Sequence, residues 1–260
     1  MKVDVIFTAG AIDRAELAGR TAVVFDVLRA TSTIVTALAN GCRAVVPVVD
    51  VEAARRTAEE LAAAGDAGGG VLLGGERGGA RLPGFPHGNS PLEYGPEVAA
   101  DKILVLTTTN GTRAIHGALP AAEIYAGSLL NARAAAAAAL AAGRDVSLIC
   151  AGTQERFSLE DTAAAGFVLA EMFALAEETA PDRPGGEKKG GTRPEPTDAA
   201  VAALHLAAAY RRNPLQIMYD SRHGQKLLRL GQAADLVHCA QLNALPVLPV
   251  YRDGRLVRAR

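Results

Sequence analysis

What this chain lacks narrows it before any motif does. Lysine and arginine number 27 against 28 aspartates and glutamates, a formal net charge of −1. With no long basic run either, the electrostatic footprint of a nucleic-acid partner is missing. No uncharged apolar stretch of about 18 residues offers a membrane span. The opening residues MKVDVIFTAG carry an acid where a signal peptide needs an unbroken apolar core, so a cytoplasmic location is expected. Cys42, Cys150 and Cys239 lie far apart and form no CxxC pair. That argues against a disulfide framework or structural zinc site and leaves them as small core residues.

Familiar catalytic signatures are missing too. His87, His116, His205, His223 and His238 show no HxxxH or HxH spacing, which gives zinc or copper chemistry little support. There is no GxSxG elbow, no GxxxxGK[ST] loop and no GxGxxG turn, so neither a serine hydrolase nor a familiar nucleotide site is indicated. No internal repeat is evident. A small-molecule partner is the remaining expectation.

What is present suits a globular enzyme. At 260 residues, 49% apolar and 21% charged, the chain can bury one full core. Aliphatic runs at 3–7, 22–26, 44–49, 71–74, 103–107, 123–127 and 146–152 read as strands. Alanine-rich or amphipathic stretches at 31–40, 51–64, 111–118, 128–142 and 158–179 read as helices between them. Alternation of this kind predicts one three-layer α/β/α domain over residues 1–260, its sheet mostly parallel or mixed. Residues 180–197, APDRPGGEKKGGTRPEPT, combine proline, glycine and charge without apolar periodicity and predict a flexible surface loop between two helices.

In such sheets ligands gather beyond the carboxyl ends of strands. The candidate residues follow strands. FDVLRATST (25–33) supplies Asp26, Arg29 as an anion clamp, and Thr31, Ser32 and Thr33 at a helix start where amides attract an anion; alternatively Arg29 pairs with Asp26 in a capped helix. GGERGGARLPGFPHGNSP (74–91) supplies Glu76, Arg77, Asn89 and Ser90 in a long connection that is either functional or disordered. TTTNGTR (107–113) offers Thr108, Thr109, Asn110, Gly111, Thr112 and Arg113 as an anion cradle, and Ser128 follows the next strand. AGTQERFSLED (151–161) ends in Glu160 and Asp161, where Ser158 loosely fits a capping box and adjacent acids suit magnesium. SRHGQKL (221–227) offers His223 either as an acid–base group or as a packing residue.

Taken together, DVLRATST (26–33), GERGG (75–79), GFPHGNSP (84–91), TTTNGT (107–112), GSLLN (127–131), CAGTQERFSLED (150–161) and SRHGQKL (221–227) resemble the 2-phosphosulfolactate phosphatase family, in matching order over nearly the whole chain. One departure is Pro86 and His87 where the family usually carries an acid. The resemblance implies a magnesium-dependent phosphatase converting 2-phosphosulfolactate to sulfolactate and phosphate, a step toward coenzyme M in methanogens. Asp26, Glu76, Glu160 and Asp161 are then the expected catalytic acids and Mg2+ ligands, with Arg29, Arg77 and Arg113 meeting a multiply charged ester. On this expectation Asp161→Asn abolishes turnover with the fold intact. A non-hydrolytic module for small sulfonated or phosphorylated acids and a nucleotide-dependent phosphotransferase stay open, as does homo-oligomerisation.

Overall fold

The computed structural model describes residues 1–65, 69–178 and 193–259. In chain order the elements are β1 (Lys2–Ile6), β2 (Thr21–Phe25), α1 (Ala30–Ala39), β3 (Ala44–Pro47), α2 (Val51–Ala63), β4 (Val71–Arg77), β5 (Ala80–Arg81), α3 (Pro96–Ala99), β6 (Ile103–Thr107), α4 (Gly111–Gly117), β7 (Glu123–Gly127), α5 (Ala132–Ala141), β8 (Val146–Cys150), α6 (Leu159–Glu178), β9 (Glu195–Pro196), α7 (Asp198–Tyr210), α8 (Leu215–Asp220), α9 (Arg222–Arg229), α10 (Ala233–Cys239), β10 (Pro249–Arg252) and β11 (Arg255–Arg258). All these strands join one sheet, ordered β5-β4-β6-β3-β11-β10-β7-β2-β8-β1-β9.

The fold is α/β, as the alternation predicts. Strands β2, β6 and β8 are buried at every position, which explains their unbroken aliphatic runs. Successive side chains point to opposite faces: Val23 and Phe25 pack with α5 and α6, whereas Ala22 and Val24 pack with α1 and α4. Further along, Ala54 of α2 covers Val105. These contacts make the three layers. Helix α1 is buried from Ala30 to Leu38, and it touches β3, β7, β10 and β11.

Two features depart from the sequence reading. Of the expected loop at 180–197, residues 180–192 lie outside the described residues. The remainder is ordered into structure: β9 pairs with β1 as the edge strand of the sheet, and Thr197 caps α7 by accepting from the Ala200 amide at 3.3 Å. The second departure is the β10–β11 hairpin, an antiparallel insert in the middle of the sheet. Its turn, Asp253–Gly254, has φ of 48° and 81°, the left-handed pair that Asp-Gly favours.

That insert has a geometric effect. Strands β4, β6 and β3 are mutually parallel, and so are β7, β2, β8, β1 and β9. Three antiparallel steps separate the groups, so their ladders run in opposed directions. The chain beyond β6 nevertheless comes back to the end of β2. Gly111, four residues beyond β6, lies against Asp26 there.

Candidate active site

Asp26 closes the buried start of α1. Its Oδ1 accepts from the Ala30 amide at 3.3 Å, and its own N–H donates to Thr31 Oγ1 at 3.1 Å. Ser32 donates to the Val27 carbonyl at 2.8 Å and Thr33 to the Asn89 carbonyl at 2.9 Å. The three hydroxyls expected to cradle an anion are therefore engaged by the chain itself. Gly111 is required opposite: a Cβ there would fall 2.5 Å from Ala30 Cβ and 2.7 Å from Asp26 Oδ2.

The other acids are locked similarly. Thr109 donates to Glu76 Oε1 from its amide at 2.8 Å and its hydroxyl at 2.9 Å, while Gly79 N–H reaches Glu76 Oε2 at 2.7 Å. Gly78 and Gly79, with φ of 66° and 88°, form the tight β4–β5 turn that allows this. Asp161 accepts from the Val27 amide at 2.8 Å and the Gly152 amide at 3.1 Å. Ser158 accepts from the Asp161 amide at 3.4 Å, as the capping reading expects.

Electrostatically these acids form one group. Burial raises the Asp26 carboxyl to about 7, helped by repulsion from Glu76 and then Glu160. Asp161 is raised well above its ordinary range by burial, then by Glu160 and Asp26. Burial also raises Glu160, partly offset by hydrogen bonds from Ser158 and Ser221. Among the described residues no group of three or more His, Cys, Asp or Glu side chains is arranged to hold a metal ion. What the acids share is a field rather than a ready coordination sphere.

Asp26 and Glu76 open onto a cavity of about 250 Å³ that is also lined by Arg29, Asn89, Thr109, Asn110, Gln154, Arg222, His223, Lys226 and Arg229. Glu160 lines an adjoining cavity of about 170 Å³ that shares Thr153, Gln154, Arg222 and His223 with the first. Asp161 lines neither and sits behind them, 3% exposed. On the opposite wall Arg222, Lys226 and Arg229 recur at i, i+4 and i+7, one face of α9. Among the described residues they have no carboxylate or hydrogen-bonding partner. Burial lowers His223 to about 4; Glu76 opposes the shift and Lys226 and Arg29 add to it, so the ring is neutral at pH 7.

Several expected anion contacts lie elsewhere. Arg29, though it borders the cavity, is tied to Asp235 at 2.6 Å and to the Gly79 carbonyl at 2.7 Å; its acid partner is Asp235, not Asp26. Ser90 donates to the same Asp235 at 2.5 Å. Arg77 is turned to backbone, donating to the Glu76 carbonyl at 2.7 Å and to Val49 and Thr107 at 3.1 Å. Thr108 and Thr112 bond each other across the first turn of α4. Ser128 is engaged with Asn131. Arg113 pairs outside with Glu155 at 2.7 Å, both about half exposed.

The reading missed the cations of α9 and Gln154. The i, i+4, i+7 spacing of Arg222, Lys226 and Arg229 was a signal available in the sequence. Gln154 was less visible, because its position depends on a turn in which Thr153 and Arg156 exchange backbone hydrogen bonds while Gln154 and Glu155 hold φ of 53° and 60°. Non-glycine residues at both positions carry strain, and the Asn110 side chain, accepting from Gln154 N–H at 3.4 Å, helps hold the turn over the cavity.

Buried carboxylates at the strand ends of an α/β sheet thus face a row of free cations on α9, and comparison with known proteins sets the class as phosphoric monoester hydrolase. The model of the family described as 2-phosphosulpholactate phosphatase matches residues 6–254. The chain belongs to that family. It is 44% identical over 242 residues to a protein of Symbiobacterium thermophilum, covering 93% of this chain and 95% of that one. A protein of Carboxydothermus hydrogenoformans is 40% identical, with 99% and 97% covered, and one of Clostridium novyi 34% identical, with 99% and 100% covered. Each bears the name probable 2-phosphosulfolactate phosphatase.

Proposed function

We propose that this phosphatase hydrolyses 2-phosphosulfolactate, or a related small phosphorylated 2-hydroxy acid, to the hydroxy acid and inorganic phosphate, with Mg2+ as cofactor. The observation that carries the reading is the pairing, in one cavity, of the buried, mutually repelling Asp26 and Glu76 carboxylates with free cations on α9. The cavity of about 250 Å³ favours a small acid over a nucleotide. Carboxylates buried together without a cation bonded to them fit a divalent ion, and magnesium asks for only one or two carboxylates beside water and phosphate oxygens. Of the four acids, Asp26 and Glu160 would hold it. Glu76 and Asp161, with both oxygens on backbone amides, position Thr109, Gly79, Val27 and Gly152 instead.

Mg2+, when bound, supplies the charge that lets neighbouring carboxylates ionise together and neutralises charge on the phosphoryl group. Asp26 holds the start of α1 and α4 in register around the cavity. Thr109 and Asn110 present polar groups to an anion, and the neutral ring of His223 offers a hydrogen bond without added charge. Such positioning and charge neutralisation provide most of the barrier reduction in phosphoryl transfer. The test is phosphate release from 2-phosphosulfolactate and other small phosphorylated acids, with Mg2+ and with chelator. Release that depends on Mg2+ is expected; no release from any of them with Mg2+ present would end the reading.

A further inference from the structure

The cation row of α9 is longer than a phosphoryl group needs. With a rise of about 1.5 Å per residue, Arg222 and Lys226 stand roughly 6 Å apart along the axis and Arg222 and Arg229 roughly 10 Å apart. The two ends have different surroundings. Arg222 borders both cavities and therefore lies on the side of Glu160. Lys226 lies at the far side against the β4–β5 turn, its Nζ 3.5 Å from where a Cβ on Gly78 would sit. All three cations lack a carboxylate partner among the described residues, so their charge is available to a ligand.

We infer that α9 divides the substrate between its ends, Arg222 serving the transferred phosphoryl group and Lys226 with Arg229 gripping the sulfonate or carboxylate that stays behind. This assignment deepens the phosphatase reading and rests on it. A sulfonate and a phosphate ester on adjacent carbons place their charges several ångströms apart, which matches one helical turn between successive cations. An ester of an uncharged alcohol would leave Lys226 and Arg229 facing solvent with nothing to bind. The enzyme therefore selects esters bearing a second strong acid, and Lys226 is a specificity-determining residue.

The test uses the full chain with Mg2+ and measures binding of sulfolactate and of inorganic phosphate by calorimetry in wild type, Lys226→Gln, Lys226→Arg and Arg222→Gln, with thermal melts to check folding. Losing one charge-assisted contact is expected to weaken sulfolactate binding by about tenfold or more in Lys226→Gln, and phosphate binding far less. Arg222→Gln should show the opposite preference, and Lys226→Arg should recover most of the sulfolactate affinity. Equal weakening of both ligands by Lys226→Gln, or of neither, overturns the division. Phosphate release by the wild type is followed in parallel: its absence sinks the phosphatase reading, whereas release with unshifted sulfolactate affinity in Lys226→Gln sinks only the role given to α9.

Discussion

Asp26 and Glu76 face the same cavity as the cations of α9, yet the acids and the cations are held by opposite means. Asp26, Glu76 and Asp161 are buried and accept backbone amides from other parts of the chain, so the fold fixes each carboxylate before any ligand arrives. Arg222, Lys226 and Arg229 have no such ties. The difference teaches that one wall is preorganised, with the cost of desolvation met by folding, while the other keeps side chains free to adapt.

That contrast can be broken from either side. The largest effect is expected for Asp26→Asn, which removes the carboxylate facing the cavity and should lower turnover by about 10²–10³-fold. The same residue sets a pH dependence. Burial and repulsion raise Asp26, Glu160 and Asp161 above their unfolded values, so the native state keeps protons that the unfolded chain releases. Their contribution to stability is fully present below about pH 4 and is lost as pH rises through about 7, where Asp26 titrates. Melts in chelator over that window should show the fall, and Asp26→Asn should flatten it; a wild-type melting temperature that climbs instead contradicts the raised carboxyls.

Asp161→Asn probes the locking itself. Because both carboxylate oxygens accept amides, a carboxamide must turn an N–H toward the Val27 or Gly152 amide, and the unsatisfied donor should cost about 3 kcal/mol in denaturant unfolding. Gly111→Ala forces α4 away from Asp26, with an expected loss of about 2 kcal/mol and a parallel drop in turnover. Arg113→Ala, which removes an exposed pair with Glu155, should change stability by less than about 1 kcal/mol.

Much of the wall of acids was legible in the sequence because strand ends are legible: Asp26, Glu76, Glu160 and Asp161 follow buried aliphatic runs. The arginines misled for a reason that sequence reading cannot avoid. Arg29 looks free until Asp235, 206 positions away, is brought beside it, and Arg77 is captured by the Val49 carbonyl and the Thr107 hydroxyl of two other segments. Hydroxyls at 31–33 suffered likewise, their acceptors being a carbonyl five residues back and another on a distant loop. The β10–β11 hairpin differed: its Asp253–Gly254 turn was readable, but a short polar-edged hairpin gives no sign that it will stand between two halves of a sheet.

That hairpin ties the order of synthesis to the order of assembly. Residues 249–258 are translated after the other strands among the described residues, yet within the sheet β3 and β7 are bridged through them. A nascent polypeptide can gather each wing early and pack both against α1, but the hydrogen-bonded ladder across the middle closes only when this late segment leaves the ribosome.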